Sequence, residues 1–147
     1  MKHISMTERK NRNRNPRIMI VDDEADILSV IKRGLEAKKE FEVDVFSRGE
    51  DALREIESHP QNYYDLIITD IRMPQMNGFE LYRRIRETNQ SIRIAFITAF
   101  EINKDEFSKV IPSVEVTDFI SKPVSIANLR EKIRSMLTDY SVNAAAM

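Results

Sequence analysis

The sequence predicts an α/β protein built on a doubly wound parallel sheet in a single domain. Short apolar runs alternate with helical patterns, and two of the runs stop abruptly at acids, as strands buried on both faces of a parallel sheet do. The 147 residues, 41% of them hydrophobic, are enough for one core, although the chain has no cysteine. Strands alternating with helices require right-handed crossovers, which produce the doubly wound arrangement.

The first strand and helix are predicted at the start of this domain. Residues 17–21 form an apolar run that stops at Asp22, which is typical of a central strand. From Glu24 onward, apolar residues recur at helical spacing, and the acids before them lie where a helix dipole favours negative charge. Residues 43–46 alternate between apolar and polar and predict a second strand, at an edge of the sheet.

The second helix and the third strand follow. Ser47 with Glu50 matches a capping box, which predicts that the second helix begins there. Residues 66–69 form the third apolar run and end at Asp70. Pro74 and the pair Asn77-Gly78 mark the connection into the third helix as a turn.

Two more strands and two more helices complete the prediction. Residues 92–98 form the fourth apolar run, and residues 118–120 form a shorter fifth one. The stretch between them, residues 101–110, is weakly amphipathic and predicts a fourth helix. The fifth helix begins near Ile126 and carries apolar residues on one face. The sequence thus predicts five strands and five helices.

Composition excludes several classes of protein. No window approaches the eighteen or so uninterrupted apolar residues of a membrane span, so no membrane association is predicted. The lack of cysteine excludes disulfide frameworks and zinc-thiolate sites, and a cytoplasmic location is expected. Residues 1–17 carry six basic side chains and one acid, 6 − 1 = +5, which leaves −1 − 5 = −6 for the rest. We predict a disordered basic arm over residues 1–15, a domain over 16–139 and a tail over 140–147, with no direct nucleic-acid binding.

Chemistry-bearing side chains follow four of the predicted strands: Asp22, Asp23, Asp70, Thr98 and Lys122. Each has an ordinary explanation alone, as a cap, turn, strand or surface residue, but together they would meet at the carboxyl edge of a parallel sheet. Two carboxylates ~4 Å apart repel by roughly 4 kcal/mol at an effective dielectric of 20, so they require a cation, and Mg²⁺ fits best. Aspartate is also a competent nucleophile toward phosphorus. The set predicts a magnesium-dependent site for phosphoryl transfer.

Four motifs carry a family resemblance: Val21-Asp22-Asp23-Glu24, the run from Asp70 through Met73-Pro74 to Asn77-Gly78, Thr98-Ala99, and Asp118-Phe119-Ile120-Ser121-Lys122-Pro123. Together they resemble the receiver domain of response regulators in two-component (His-Asp phosphorelay) signalling, and in particular single-domain chemotaxis-type regulators. The resemblance covers about residues 16–138. It implies a flavodoxin-like sheet with strand order 2-1-3-4-5.

The resemblance also implies a role for each site residue. Asp70 corresponds to the phosphoacceptor, and the implied Mg²⁺ ligands are Asp23, Asp70 and the backbone carbonyl of Arg72, with Asp22 holding the ion largely through water. Thr98 resembles the switch hydroxyl and Lys122 the lysine that contacts the phosphate. Phe119 resembles the aromatic switch on the fifth strand. The Lys122-Pro123 bond is similar to a peptide that is commonly cis in this family.

A receiver implies a phosphohistidine donor on a partner, either a sensor histidine kinase or a histidine phosphotransfer protein. The chain's own two histidines, His3 and His59, are expected to be surface residues and do not supply this donor. The resemblance implies a signalling protein that catalyses only its own phosphorylation and slow dephosphorylation, and it is compatible with a weak or phosphorylation-dependent dimer. The alternatives are a receiver fragment of a larger transcriptional regulator, a phosphorylation-independent scaffold, and an aspartate-nucleophile phosphatase. A phosphatase of this kind requires a second acid two residues after the nucleophile, and this chain has Arg72 at that position.

Overall fold

The structure is a computed structural model that describes residues 14–99 and 119–146, with side chains up to residue 138. Five parallel strands form one sheet in the order β2-β1-β3-β4-β5, which confirms the predicted topology. The strands are β1 Arg17–Val21, β2 Glu42–Phe46, β3 Leu66–Asp70, β4 Arg93–Thr98 and β5 Phe119–Ser121.

Four helices lie within the described residues: α1 Ala25–Glu36, α2 Gly49–Glu57, α3 Gly78–Thr88 and α4 Ile126–Ala146. They correspond to the first, second, third and fifth predicted helices. The predicted helix over residues 101–110 lies outside the described residues, as do the basic arm before residue 14 and Asp118. Helix α4 continues past residue 139, where the sequence suggests the end of the domain. Among the described helices, none combines the length and the apolar character that a bilayer crossing requires.

The core consists of two apolar layers, one on each face of the sheet. Alternate residues of a strand point to opposite faces, so Met19 and Val21 join the layer under α2 and α3, whereas Ile18 and Ile20 join the layer with α1 and α4. Each fully buried aliphatic or aromatic side chain of this kind contributes roughly 1.5–3 kcal/mol. Strands β1 and β3 are covered on both faces, which explains their uninterrupted apolar runs.

The helix starts differ in how well the sequence predicts them. The Asn77 side chain caps α3 by accepting a hydrogen bond from the Glu80 N–H at 2.9 Å, in agreement with the predicted turn. The capping box predicted for Ser47 is wrong, because Arg48 is the N-cap residue of α2 and makes no side-chain cap bond. Glu50 lies only two residues after that cap and pairs with the Arg48 guanidinium at 2.8 Å instead.

Candidate functional site

Three carboxylates meet at the carboxyl edge of the sheet, as the sequence predicts. Asp22 and Asp23 follow β1, and Asp70 ends the neighbouring strand β3; oxygens of all three lie within 4.8 Å of one another. Asp22 and Asp70 are 1% and 7% exposed, whereas Asp23 is exposed. Backbone N–H groups orient the two buried carboxylates: Glu24 donates to Asp22 Oδ1 at 3.0 Å and Ile71 to Asp70 Oδ1 at 2.7 Å.

Lys122 supplies the positive charge among these acids. Its Nζ lies 2.5 Å from Asp22 Oδ2, 3.0 Å from Asp70 Oδ2 and 3.6 Å from Glu24 Oε1. Its backbone N–H donates to the Thr98 carbonyl at 2.8 Å, which fixes the start of the segment after β5. The Lys122-Pro123 peptide is cis, as the resemblance implies.

The electrostatics of the cluster show a shortage of positive charge. Burial raises the pKa of Asp70, the hydrogen bond from Lys122 opposes that rise, and the negative charge of Asp22 adds to it. Burial alone would lower the pKa of Lys122, but its hydrogen bonds to Asp22 and Asp70 outweigh burial and raise it. Lys122 therefore stays protonated at neutral pH, while the ionised form of Asp70 is disfavoured relative to an aspartate in water.

The other two predicted site residues occupy different depths. Thr98 is buried at the end of β4, one residue beyond Ile97, which pairs with Asp70, so it lies at the same edge as the acids. Phe119 pairs with Phe96 further back along the sheet, and their rings stack with centroids 5.6 Å apart. Phe119 is thus part of an aromatic layer behind the edge, not of the acidic cluster itself.

The loop after β3 folds back onto Asp70. The Gly78 N–H donates to the Ile71 carbonyl at 2.8 Å, and a Cβ at Gly78 would collide with the Asp70 carbonyl oxygen. Only glycine allows this close approach of two backbone segments. Arg72, two residues past Asp70, lies in the loop that this contact closes.

The donor set fits a small, hard divalent cation. Mg²⁺ takes oxygen ligands at about 2.0–2.1 Å, so oxygens that share one ion lie at most ~4.2 Å apart. The three carboxylates, within 4.8 Å of one another, need only a small adjustment to reach that geometry. All their donors are oxygens, and the chain offers no thiolate that would favour a softer metal.

Two features were not anticipated as they stand. Glu24, treated from the sequence as a helix-start residue, is also the third acid within 3.6 Å of Lys122. Its place in the Asp-Asp-Glu run is the signal that could have indicated this contact.

His59 is half-buried and not a plain surface residue. Its ring stacks on that of Tyr63 with centroids 3.7 Å apart, and its Nε2 lies 2.7 Å from Glu55 Oε1. It follows α2 and belongs to no group with the acids; His3 lies outside the described residues.

The fold and the acidic edge define a doubly wound α/β protein with a candidate cation site. The chain belongs to the response regulator receiver domain family, whose model matches residues 18–134. It is 37% identical to the response regulator ArlR of Staphylococcus aureus over 121 residues, which are 82% of this chain and 52% of ArlR. The chain thus spans about half the length of that relative.

Solved structures lead to the same family. A CheY-like response regulator receiver domain protein from Methanospirillum hungatei JF-1 superposes with a TM-score of 0.75 at 26% identity, covering 88% of this chain and 98% of that protein. The receiver domain of the Francisella response regulator 1452 gives a TM-score of 0.71 at 25% identity, covering 85% of this chain and 98% of that one. In both comparisons the match covers almost the full length of the solved receiver domain.

Proposed function

We propose that Asp70 is the phosphoacceptor of this receiver and takes its phosphoryl group from a phosphohistidine on a sensor histidine kinase or a histidine phosphotransfer protein. The observation that carries the proposal is the contact of Lys122 with both Asp22 and Asp70. A carboxylate oxygen of Asp23 lies within 4.8 Å of oxygens of these two acids, so the three could share one cation. Family membership supports the donor class. The proposed receiver covers residues 16–139.

The chemistry follows from the positions of the two partners of Asp70. An oxygen of the Asp70 carboxylate attacks phosphorus, the N–P bond of the phosphohistidine breaks, and the imidazole leaves with that electron pair and takes up a proton. Lys122, 3.0 Å from Asp70 Oδ2, is placed to neutralise charge on the transferred group. Since it keeps its proton, Lys122 acts as a point charge and not as a base.

We assign the metal site to Asp23, Asp70 and the Arg72 carbonyl, with Asp22 acting through water. A bound Mg²⁺ would supply the positive charge that one lysine cannot supply to this many acids. Asp22 and Asp70 are already oriented by backbone N–H groups, so little reorganisation is required of the protein. The protein would be a signalling receiver that catalyses only its own phosphorylation and slow dephosphorylation.

The conformational response is assigned to Thr98 and Phe119. Thr98 would donate its hydroxyl hydrogen to an oxygen of the phosphoryl group, and Phe119 would change rotamer as the strand end moves. The stacking of Phe119 on Phe96 provides the packing that such a rotamer change would break and remake. We expect the downstream partner to be a protein. A weak or phosphorylation-dependent dimer of this chain is also compatible with the proposal.

Intact mass after incubation with Mg²⁺ and acetyl phosphate tests the proposal. The wild type should gain one phosphoryl group, and Asp70→Asn should gain none. An adduct that persists in Asp70→Asn would refute Asp70 as the acceptor, and the absence of any adduct on folded wild type would favour a scaffold. Release of phosphate over many turnovers would instead favour an aspartate-nucleophile phosphatase.

The length of ArlR, of which the match covers 52%, favours a second candidate: a receiver that regulates the remainder of a longer regulator. The phosphoacceptor chemistry is common to both candidates. Only the target differs, being a separate protein in one case and the same polypeptide in the other. The length of the intact gene product distinguishes them.

A further inference from the structure

The loops that follow β2 and β3 are in direct contact. Arg48 Nη2 donates to Gln75 Oε1 at 2.9 Å, which joins the N-cap residue of α2 to the loop over residues 71–77. Beside this bond, a Cβ at Gly49 would lie 3.1 Å from atoms of the Met76 side chain, so Gly49 is packed closely against that side chain. The contact joins an edge-strand loop to the loop that follows Asp70.

Gln75 occupies a conformation that needs external support. Its φ of 70° lies in the left-handed region, which is unfavourable for a residue with a Cβ. The Met76 N–H donates to the Pro74 carbonyl at 2.8 Å, which makes the turn tight. Such conformations persist where the surroundings impose them. The Arg48 guanidinium bonds to the side-chain amide oxygen of Gln75 and so restrains the residue through its side chain.

The Arg48 guanidinium is itself oriented. The same Nη2 donates to Glu50 Oε2 at 2.8 Å, so one nitrogen bridges a carboxylate on α2 and the amide oxygen of Gln75. Since Glu50 lies in the first turn of α2, the bridge ties the Gln75 turn to a rigid element. A short loop held at both ends and in the middle has few alternative conformations.

We propose that Arg48 is a positioning residue for the metal-binding loop after β3, acting through Gln75. This inference rests on the proposed function, which assigns the Arg72 carbonyl as a metal ligand. The ends of that loop are closed by the bond between Gly78 and Ile71, and Arg48 fixes the turn between them. A carbonyl ligand has no side-chain freedom of its own, so its placement depends on such a support.

The expected effect is on metal affinity. Partners that orient metal ligands typically contribute 10–100-fold to affinity. Because the Arg48 side chain is 57% exposed, we expect the lower end of that range, about tenfold weaker Mg²⁺ binding in Arg48→Ala. Gln75→Ala, which keeps a Cβ in the left-handed conformation, should weaken binding equally.

A double-mutant cycle tests the inference. Mg²⁺ is titrated into wild type, Arg48→Ala, Gln75→Ala and the double variant, with backbone amide NMR shifts as the readout. If Arg48 acts through Gln75, the double variant binds no more weakly than either single one. Arg54→Ala is the matched control, because Arg54 is an exposed guanidinium on the same helix that pairs with Asp51 at 3.5 Å. The control should bind Mg²⁺ as the wild type does.

Hydrogen exchange gives a readout that is independent of the metal. The amide of Met76 should exchange faster in Arg48→Ala than in Arg54→Ala, while amides of the central strands stay unchanged. An Arg48→Ala protein with wild-type affinity and exchange overturns the inference while leaving the proposed function intact. Additive losses in the double variant also overturn it, since they would show that Arg48 acts by charge. A folded wild type that binds no Mg²⁺ removes the inference together with the proposed metal site.

Discussion

Strand β3 has an aspartate at each end, and the two lie in different electrostatic surroundings. Asp65, just before the strand, accepts the Arg17 N–H at 2.8 Å and pairs with the Arg14 guanidinium at 3.0 Å. Asp70, the last residue of the strand, shares the single amine of Lys122 with Asp22 and Glu24. The amino edge thus matches acid with base, whereas the carboxyl edge concentrates acids around one lysine.

The difference shows what each edge contributes. A carboxylate whose hydrogen bonds and charge are satisfied stabilises the fold and has little left to offer a ligand. A buried carboxylate with a raised pKa, such as Asp70, costs stability and keeps affinity for additional positive charge. The carboxyl edge therefore holds unmatched negative charge at a cost in stability. The variants below test this contrast in order of decreasing effect.

The largest effect is expected for Lys122→Met. Removing the cation leaves Asp22 and Asp70 buried without their ion-pair partner, and breaking a buried pair from one side costs about 3 kcal/mol. Thermal unfolding without metal should show that loss. Adding Mg²⁺ should raise the stability of the variant more than it raises the stability of the wild type. Equal gains from Mg²⁺ in both proteins would contradict the idea that lysine and metal neutralise the same acids.

Gly78→Ala tests the packing behind Asp70. The new Cβ would collide with the Asp70 carbonyl oxygen, and a backbone atom cannot rotate away, so we expect a loss of about 2 kcal/mol. Gly34→Ala is the control: its Cβ would approach the Ile126 side chain at 2.8–2.9 Å, where a half-buried side chain can adjust, and alanine favours the helix. Chemical denaturation measures the unfolding free energy of both variants. An equal loss in both would contradict the idea that the backbone contact at Gly78 requires glycine.

Asp70→Asn and Asp65→Asn should change stability in opposite directions. Because folding raises the pKa of Asp70, its ionised form opposes folding above that pKa, and the opposition disappears below the unfolded pKa of about 4. Asp70→Asn should therefore be more stable than wild type at pH 7 without metal, and the gap should close as the pH falls toward 4. Asp65→Asn should lose about 1 kcal/mol at pH 7, since it weakens bonds to a cation and an N–H.

Melting curves of the two variants against pH, in the presence of a chelator, measure this contrast. The same two proteins can be incubated with acetyl phosphate, where Asp65→Asn should gain a phosphoryl group as the wild type does. A stabilising Asp65→Asn, or a destabilising Asp70→Asn, would show that the two edges do not differ in the way described.

The sequence predicts most of the fold because β1 and β3 are buried on both faces and therefore apolar throughout, and because the acids mark where those strands end. The parallel topology alone places Asp22, Asp23, Asp70 and Lys122 at one edge of the sheet. Their short distances require in addition that β1 and β3 are neighbours. The strand order came from the family resemblance, not from residue patterns.

Other features could not be predicted because they depend on how loops meet in space. The capping box failed since Glu50 binds Arg48, which in turn reaches Gln75, 27 residues further along the chain. Similarly, the Tyr64 hydroxyl donates to Asp44 at 2.7 Å, a partnership between a loop and an edge strand that no local pattern indicates. Local motifs compete with tertiary partners, and here the tertiary partners prevail.

The smallest expected effect completes the contrast at the amino edge. Arg14 is partly exposed and contacts Asp65 at 3.0 Å, and exposed ion pairs contribute 0.2–1 kcal/mol, so Arg14→Ala should cost about 0.5 kcal/mol. The loss should shrink in high salt, because screening weakens the pair in the wild type. Mg²⁺ affinity should not change, since Asp65 keeps the Arg17 N–H and the opposite end of β3 is untouched. Denaturation at two salt concentrations and one Mg²⁺ titration measure both expectations. A change in Mg²⁺ affinity would show that the two ends of β3 are coupled, and the separation between a structural and a chemical aspartate would then fail.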